Sequence, residues 1–491
     1  MTSKTKRLDL PVLGAKTKSA GSTDSADSAR VSIITLGCDK NTVDSERIMA
    51  RLANSGAQVG AAANNADVIV INTCGFIESA KEESIETIPE AVKLKKQRKV
   101  KVVVAMGCLV QRYKAELEAE IPEVDAFLSL TETDELVPVL KARGLLPDEP
   151  ASVMERPLRL LSTSTPHTSY LKISEGCDHT CAFCAIPLMR GKHRSTPMHV
   201  LISEAQQLEQ SGVKELNIVS QDTTWYGRDI NRGIAPTDNY FVGAFPQTQS
   251  SPIRQTAPSL DRRIGLQHLL QALIAETSIP WLRLFYMYPS GITRELVDFM
   301  AREPRVLPYL DMPLQHGSDR ILEKMRRPER VRTIRERVSW LRGAIPDLAL
   351  RTTLIVGFPG ETDDDFQELI DLVEEIRFDY MGAFTYSVEE GTHAAEMGDT
   401  VPADVKRERL EQLLDVQRTI TLDKNESRIG TVQSVLIDKP GVGRTKGQAL
   451  EVDGVVNVAG AESRHAGEFV QVRITDAMEH DLAGQMMETG S

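Results

Sequence analysis

The sequence predicts an α/β protein of three units: an N-terminal doubly wound parallel-sheet domain, a central partial (βα) barrel and a small C-terminal all-β barrel. Three observations lead there. The chain has 491 residues, room for about three domains at roughly 150 residues each. From residue 31 onward, short β-branched runs alternate with segments of helical period, a pattern that implies right-handed crossovers and parallel strands. After residue 430 the helical period disappears, and short alternating segments separated by Gly and Asp fit a small barrel.

Residues 1–30 lack periodicity and hold six basic and three acidic side chains; they read as a disordered tail. In the first unit, residues 31–145, strands are expected at Val31–Leu36, Val68–Asn72 and Val102–Ala105. Helices are expected at Val43–Ala53, within Glu78–Lys95 and at Tyr113–Glu120. The second unit, residues 163–413, offers strands at Tyr170–Ile173, Glu215–Val219, Leu282–Tyr286, Tyr309–Met312, Arg351–Val356 and Met381–Tyr386. Six βα units place a site at the C-terminal strand ends. Gly227–Leu260, rich in Pro, Gly, Asn, Ser and Gln, interrupts them as an insertion, either a lid or a disordered segment. The third unit, residues 414–485, opens on the tail of a helix and continues with strands at Val432–Ile437, Val455–Val458 and Phe469–Ile474.

Composition narrows the function. Aromatics are 5% and the formal net charge is −12, which argues against a stacking platform or a global basic surface for nucleic acid. No apolar run reaches the ~18 residues of a membrane span, and the first 30 residues hold no apolar signal core. A cytoplasmic protein is expected. Six cysteines in so long a chain are too few for a disulfide scaffold, and in a reducing compartment thiols serve as ligands or catalysts.

Cys38, Cys74 and Cys108 each follow a predicted strand, in TLGCDKN, NTCGFI and MGCLVQ. C-terminal ends of parallel strands face the same way, so the three thiols should converge in one crevice. Gly37, Gly75 and Gly107 flank them and would let backbone approach a bulky ligand closely. Three ordinary buried thiols or a zinc site are the other readings. No His or Asp recurs in these loops as a fourth ligand. The second set, Cys177, Cys181 and Cys184, has C-x3-C-x2-C spacing just after the first barrel strand. One loop then wraps one metal centre, with three thiolates where a ferredoxin-type cluster needs four. One iron is left open. His179, inside this loop, is expected to face solvent.

That loop at the start of a βα barrel resembles the radical S-adenosylmethionine enzymes. In them three cysteines hold a four-iron four-sulfur cluster whose open iron binds S-adenosylmethionine, and reduction yields a 5′-deoxyadenosyl radical. With the preceding three-cysteine domain and the trailing barrel, the chain resembles the methylthiotransferases from residue 31 to about 485. The words TLGCDKNTVDSE, NTCGFI and LKISEGC, with Ser220–Thr223, Asp311–His316 and Val356–Glu361, resemble the branch that modifies a ribosomal protein. The basic tail and the insertion depart from that pattern.

The resemblance implies two four-iron four-sulfur clusters, one on Cys177, Cys181 and Cys184 and one on Cys38, Cys74 and Cys108. It implies S-adenosylmethionine as methyl donor and radical source, and an aspartate β-carbon of ribosomal protein S twelve as target. An electron donor such as flavodoxin or ferredoxin is implied as well. Gln221, Asp222, Arg283, Gln315 and Arg351 fall at or near strand ends, and Gln221, Gly357 and Gly360 are the candidates for binding the cofactor. Thr362 should cap the next helix, with Asp363–Asp365 in its first turn. The third unit resembles a TRAM domain, an RNA-binding barrel in relatives that modify transfer RNA. Residues 425–491 carry six basic against ten acidic side chains, a balance that repels phosphate and attracts a basic protein. Transfer RNA adenosine is the alternative substrate; otherwise nucleic acid enters only indirectly, through the ribosome.

Overall fold

A computed structural model of the chain describes residues 28–148, 158–161, 165–233 and 264–487. The expected tail and most of the insertion lie outside the described residues.

The first unit runs β1 (Arg30–Thr35), α1 (Asp39–Asn54), β2 (Gln58–Val59), β3 (Val68–Thr73), α2 (Glu78–Lys96), β4 (Val102–Gly107), α3 (Cys108–Glu120), β5 (Ala126–Leu128) and α4 (Leu136–Ala142). Its parallel sheet has the order β2-β1-β3-β4-β5. Period-two alternation sends Ile69, Ile71, Val103 and Ala105 to a core with α2 and α3. Val68, Val70, Val102 and Val104 go to a second core with α1 and α4. Both faces are buried, which is why these strands read as unbroken apolar runs. Strand order reverses between β1 and β3, and a ligand crevice opens at such a point. The short strands β2 and β5 carry too little pattern to be seen in sequence. Helix α3 starts at Cys108, not at the expected Tyr113, where the backbone instead kinks out of helical geometry.

The second unit comprises β6 (Thr168–Lys172), β7 (Ser174–Glu175), α5 (Ile186–Arg190), β8 (Arg194–Ser195), α6 (Met198–Gln210), β9 (Glu215–Val219), α7 (Leu266–Glu276), β10 (Trp281–Leu284), α8 (Arg294–Arg302) and β11 (Val306–Asp311). It continues with α9 (Asp319–Lys324), α10 (Val331–Ala344), β12 (Ala349–Val356), α11 (Asp363–Ile376), β13 (Tyr380–Thr385), α12 (His393–Glu396) and α13 (Ala403–Glu426). All six expected strands form one parallel sheet in chain order, β6-β9-β10-β11-β12-β13, a partial barrel. Leu282, Leu284, Leu310 and Leu350 face the helices; Trp281, Leu307, Tyr309 and Ala349 face inward. Thr362 and Asp365 form a capping box that starts α11, as its sequence predicts.

The third unit, β14 (Val432–Lys439), β15 (Val442–Thr445), β16 (Val456–Ala459), β17 (Phe469–Ala477) and β18 (Leu482–Met486), is a closed barrel. Helix α13 leads into it, so the expected division at 413–414 falls inside one helix. Val435 and Ile437 point into the barrel's own core. Leu436 between them joins Trp281, Tyr309 and Tyr380 on the inner face of the second unit. Buried Arg444 fixes the seat, pairing with Asp438 at 2.8 Å and with Glu215 at 2.6 Å. Arg283 donates to Glu215 at 2.6 Å.

Arg283 and Arg351 belong to the barrel seat: Arg283 also donates to the Lys446 carbonyl at 2.8 Å, and Arg351 lies 3.5 Å from Asp453. The side chain of Asp453 is covered in the same seat and accepts from Tyr309 and from the Ala449 N–H, both at 2.9 Å. Among the described residues no helix is long and apolar enough to cross a membrane.

Candidate active site between two cysteine triads

Cys38 caps α1, Cys74 follows β3 and Cys108 opens α3, so the parallel sheet brings the three loops to one edge. A Cβ built on Gly37 would lie 2.7 Å from Cys74 Sγ; the close approach that glycine permits is used between the thiol loops themselves. Asn41 ties the loops together by donating to the carbonyls of Leu36, at 2.8 Å, and Thr73, at 3.1 Å. Asn72 donates to the Asn41 carbonyl and Ser45. Ser84 hydrogen-bonds both the N–H and the carbonyl of Cys74.

The second triad hangs from the β7–β8 hairpin. Gly176 has φ +72°, and a Cβ there would meet the Lys192 carbonyl at 2.2 Å, so the turn into Cys177 requires glycine. The Cys177 N–H donates to the Gly191 carbonyl. Ala182 is held from both sides, donating to the Met325 carbonyl and accepting from the Ala394 N–H. The Arg327 guanidinium, fully buried, sits 3.8 Å from Cys181 Sγ and donates to the Pro313 carbonyl.

His179 does not face solvent. It stacks on Tyr288 with ring centroids 4.2 Å apart, contacts Trp225 at 4.0 Å, and pairs with Asp222 at 2.7 Å. Asp222 also caps the turn at Thr224, so this strand-end residue braces the loop.

Burial pushes the Cys74 thiol up to about 12, with Cys38 and Cys108 adding to it, and the Cys108 thiol to about 11. Burial, with Cys181 beside it, pushes Cys184 up to about 12, and Cys177 rises as well. These thiols hold their protons until a metal centre displaces them.

The donor sets fit the expected groups. Each triad supplies three thiols and leaves one cluster position open. Among the described residues no three His, Cys, Asp or Glu side chains are grouped for a single metal ion. Beside the second triad, Ser174 Oγ, Ser220 Oγ, Gln221 Oε1 and Thr223 Oγ1 are buried without a hydrogen-bond partner. Orphaned polar atoms at strand ends are what a polar cofactor would satisfy. Gln221 follows β9, and its amide donates to Glu175 at 3.3 Å. Gly357 and Gly360 are occupied differently. The Gly357 N–H donates to Glu361 and the Gly360 N–H to Thr400, so their N–H groups serve the strand–helix turn, which both glycines enter at positive φ.

The elements that carry the two triads pack against each other. Cys108 packs with Ala185 and Met189, just beyond Cys184, in one apolar cluster. Around it runs a buried polar network. Arg190 donates to Asn41 at 2.6 Å, Glu175 at 2.8 Å and Asp44 at 3.2 Å, and Lys172 pairs with both Asp44 and Glu175. Arg159 joins Glu46 to Glu204. Lys81 and Arg112 of the first unit both pair with Glu389 of the second. Buried charges persist only when paired in this way. These residues, and Tyr286, were missed in the sequence. Tyr286 sits at φ +56° past β10, its hydroxyl 3.3 Å from Asp39 and its ring beneath Lys40.

Models of known families match three stretches: the uncharacterized protein family UPF0004 over residues 30–129, the radical SAM superfamily over 171–373 and the TRAM domain over 429–487. The ribosomal protein uS12 methylthiotransferase RimO of Aquifex aeolicus is 42% identical over 466 residues, covering 94% of this chain and 98% of that protein. Its namesake from Geobacter sulfurreducens is 39% identical, covering 93% of this chain and 98% of that one. Among solved structures, the radical S-adenosylmethionine methyltransferase TsrM from Kitasatospora setae superposes with a TM-score of 0.50 at 12% identity, covering 83% of this chain and 80% of its own. That likeness concerns the fold alone. Two cysteine triads on a parallel-sheet domain and a partial barrel, and close relatives along nearly the whole length, make this chain a member of the RimO family of radical S-adenosylmethionine methylthiotransferases.

Proposed function

We propose that this enzyme places a methylthio group on the β-carbon of an aspartate in ribosomal protein uS12, using two four-iron four-sulfur clusters and S-adenosylmethionine as methyl donor and radical source. The observation that carries the reading is the apposition of the triads, with Cys108 packed against the helix that follows Cys184. Bound there, the clusters and S-adenosylmethionine would supply electron, radical and sulfur, which no side chain offers to an unactivated C–H bond. Cys177, Cys181 and Cys184 would hold one cluster, and Cys38, Cys74 and Cys108 the other. Ser174, Ser220, Gln221 and Thr223 would orient S-adenosylmethionine through the buried polar atoms they leave unpartnered. Arg190, Asp44, Glu175 and Lys172 hold the two thiol loops in register. The enzyme would work in the cytoplasm, with a flavodoxin or ferredoxin as electron donor.

The substrate assignment draws on the names of the relatives. Mass spectrometry of ribosomal proteins from cells with and without the gene tests it: uS12 should lose one methylthio group in the deletion strain. Unchanged uS12, with the group missing from a transfer-RNA adenosine, would replace this reading with the alternative.

A further inference from the structure

A groove of about 820 Å³ lies between the two units, bounded by α2, α3 and the segment 388–395. Its floor is apolar, from Leu109, Leu117 and Ile121, and its rim carries Ile85 and Val388, 47% and 45% exposed. Exposed apolar side chains continue toward both thiol loops. Phe76 and Ile77 follow Cys74 and are 42% and 38% exposed; Leu188, beyond Cys184, is 53% exposed. A contiguous apolar surface of this kind marks an interaction site.

The exposed charges that line it are acidic. Glu78, Glu116, Glu120 and Glu390 line the groove and are exposed. The one cation lining it among the described residues, Lys81, is already paired with Glu78 at 2.7 Å and Glu389 at 3.2 Å. Such a surface repels phosphate and attracts basic polypeptide. The groove also adjoins the chemistry: Leu109 follows Cys108, and Ala395 follows Ala394, whose N–H binds the carbonyl of Ala182 between Cys181 and Cys184.

We propose that this groove is the docking site for the substrate polypeptide, holding a cationic segment that anchors at least one apolar side chain and so presents the neighbouring target residue to the space between the triads. The inference rests on the reading of the substrate as a ribosomal protein. The volume suits a few side chains rather than a folded domain, so an extended segment or loop is the occupant.

The test uses cluster-loaded full-length enzyme and the same organism's purified uS12. Ile85→Lys and Val388→Lys should each weaken binding roughly tenfold, as loss of an anchor does. Glu116→Lys/Glu120→Lys should slow association at low salt, with the difference fading at high salt. Iron and sulfide content and circular dichroism establish that the variants are folded; Ile85→Ser and Glu116→Gln/Glu120→Gln replace any variant that is not. Variants that bind and modify uS12 within twofold of wild type would overturn the docking site and leave the proposed function standing. A wild-type enzyme that never modifies uS12 overturns both. A wild-type dimer that Ile85→Lys dissociates, or transfer RNA retained by wild type and lost in Ile85→Lys, would give the groove to another occupant and reject the proposal.

Discussion

Arg190 donates to Glu175 at 2.8 Å, and this contact joins the helix behind Cys184 to the turn ahead of Cys177. The same guanidinium reaches Asn41 and Asp44 in the first unit, so one side chain ties both thiol loops together. Replacing it with Met leaves Lys172 as the one cation among the described residues paired with both Asp44 and Glu175 in a buried site. Removing one partner of such a network costs about 3–5 kcal/mol. Urea unfolding should report that loss for Arg190→Met. Arg190→Lys should recover less than half of it, because an ammonium lacks the planar fork that serves three acceptors. Wild-type stability in Arg190→Met would contradict the assigned role.

The triads should be separable in function. Cys181→Ala is expected to abolish formation of 5′-deoxyadenosine from S-adenosylmethionine. Cys108→Ala should preserve it while ending methylthio transfer. Chromatography of small-molecule products from reconstituted, reduced enzyme decides the matter, and abundant 5′-deoxyadenosine from Cys181→Ala would reverse the assignment.

The insertion has sharper limits than its composition suggests. Asp229, inside the expected loop, is buried and accepts from the Ser195 N–H at 2.8 Å and hydroxyl at 2.6 Å. Asn231 exchanges two hydrogen bonds with Ile264, clamping the ends of the excursion side by side. Replacing residues 234–263 with a short Gly-Ser linker should change stability by no more than about 1 kcal/mol. A deletion that also takes Asp229 leaves the buried Ser195 N–H without its acceptor and should cost a further ~1–3 kcal/mol. Thermal denaturation of the two deletion proteins should separate them.

The barrel seat should loosen in acid. Burial pushes Asp438 up, but hydrogen bonds from His167 and Arg444 carry it below the usual carboxylate range; for Glu215, Arg444 and Arg283 likewise outweigh burial. A carboxylate lowered on folding contributes stability above its unfolded value, near pH 4, and loses it as pH falls toward the folded value. Asp453, raised by burial, works in the opposite direction and softens the loss. Trp281 packs edge-on against Phe469 of the barrel at 5.1 Å, so tryptophan fluorescence should report undocking below about pH 4. In Asp438→Asn the change should be smaller, since one of the two carboxylates lowered on folding is gone.

The sequence revealed what local period and chain order determine. Strand runs such as Val68–Asn72 are apolar on both faces, and parallel order then carries Cys38, Cys74 and Cys108 to one edge whatever the details. Partners distant in sequence were illegible. Asp44 and Glu46 look like an ordinary acidic helix start, and only Lys172, Arg190 and Arg159 in the other unit explain their burial. His179 was misplaced because Trp225 and Tyr288, which enclose it, come from later loops. Nothing local to Asp453 announces Tyr309, whose hydroxyl donates to it. Gly357 and Gly360 suggested an approach to cofactor; the N–H of the first is taken by Glu361 within the turn and that of the second by Thr400, which is distant in sequence.

The seating of the C-terminal barrel on the inner face of the second unit has a consequence for biosynthesis. Trp281, Tyr309 and Tyr380 wait for Leu436 and Ala449 to cover them, and the buried carboxylate of Glu215 waits for Arg444. A ribosome emits the chain from its N-terminus, so the aromatic face is complete well before its cover emerges. Nascent chains in that interval expose the surfaces that favour aggregation, and a stop codon after β13 but before the barrel strands makes the interval permanent. Chaperone demand should therefore peak late in translation, after the cluster-binding loops have already formed.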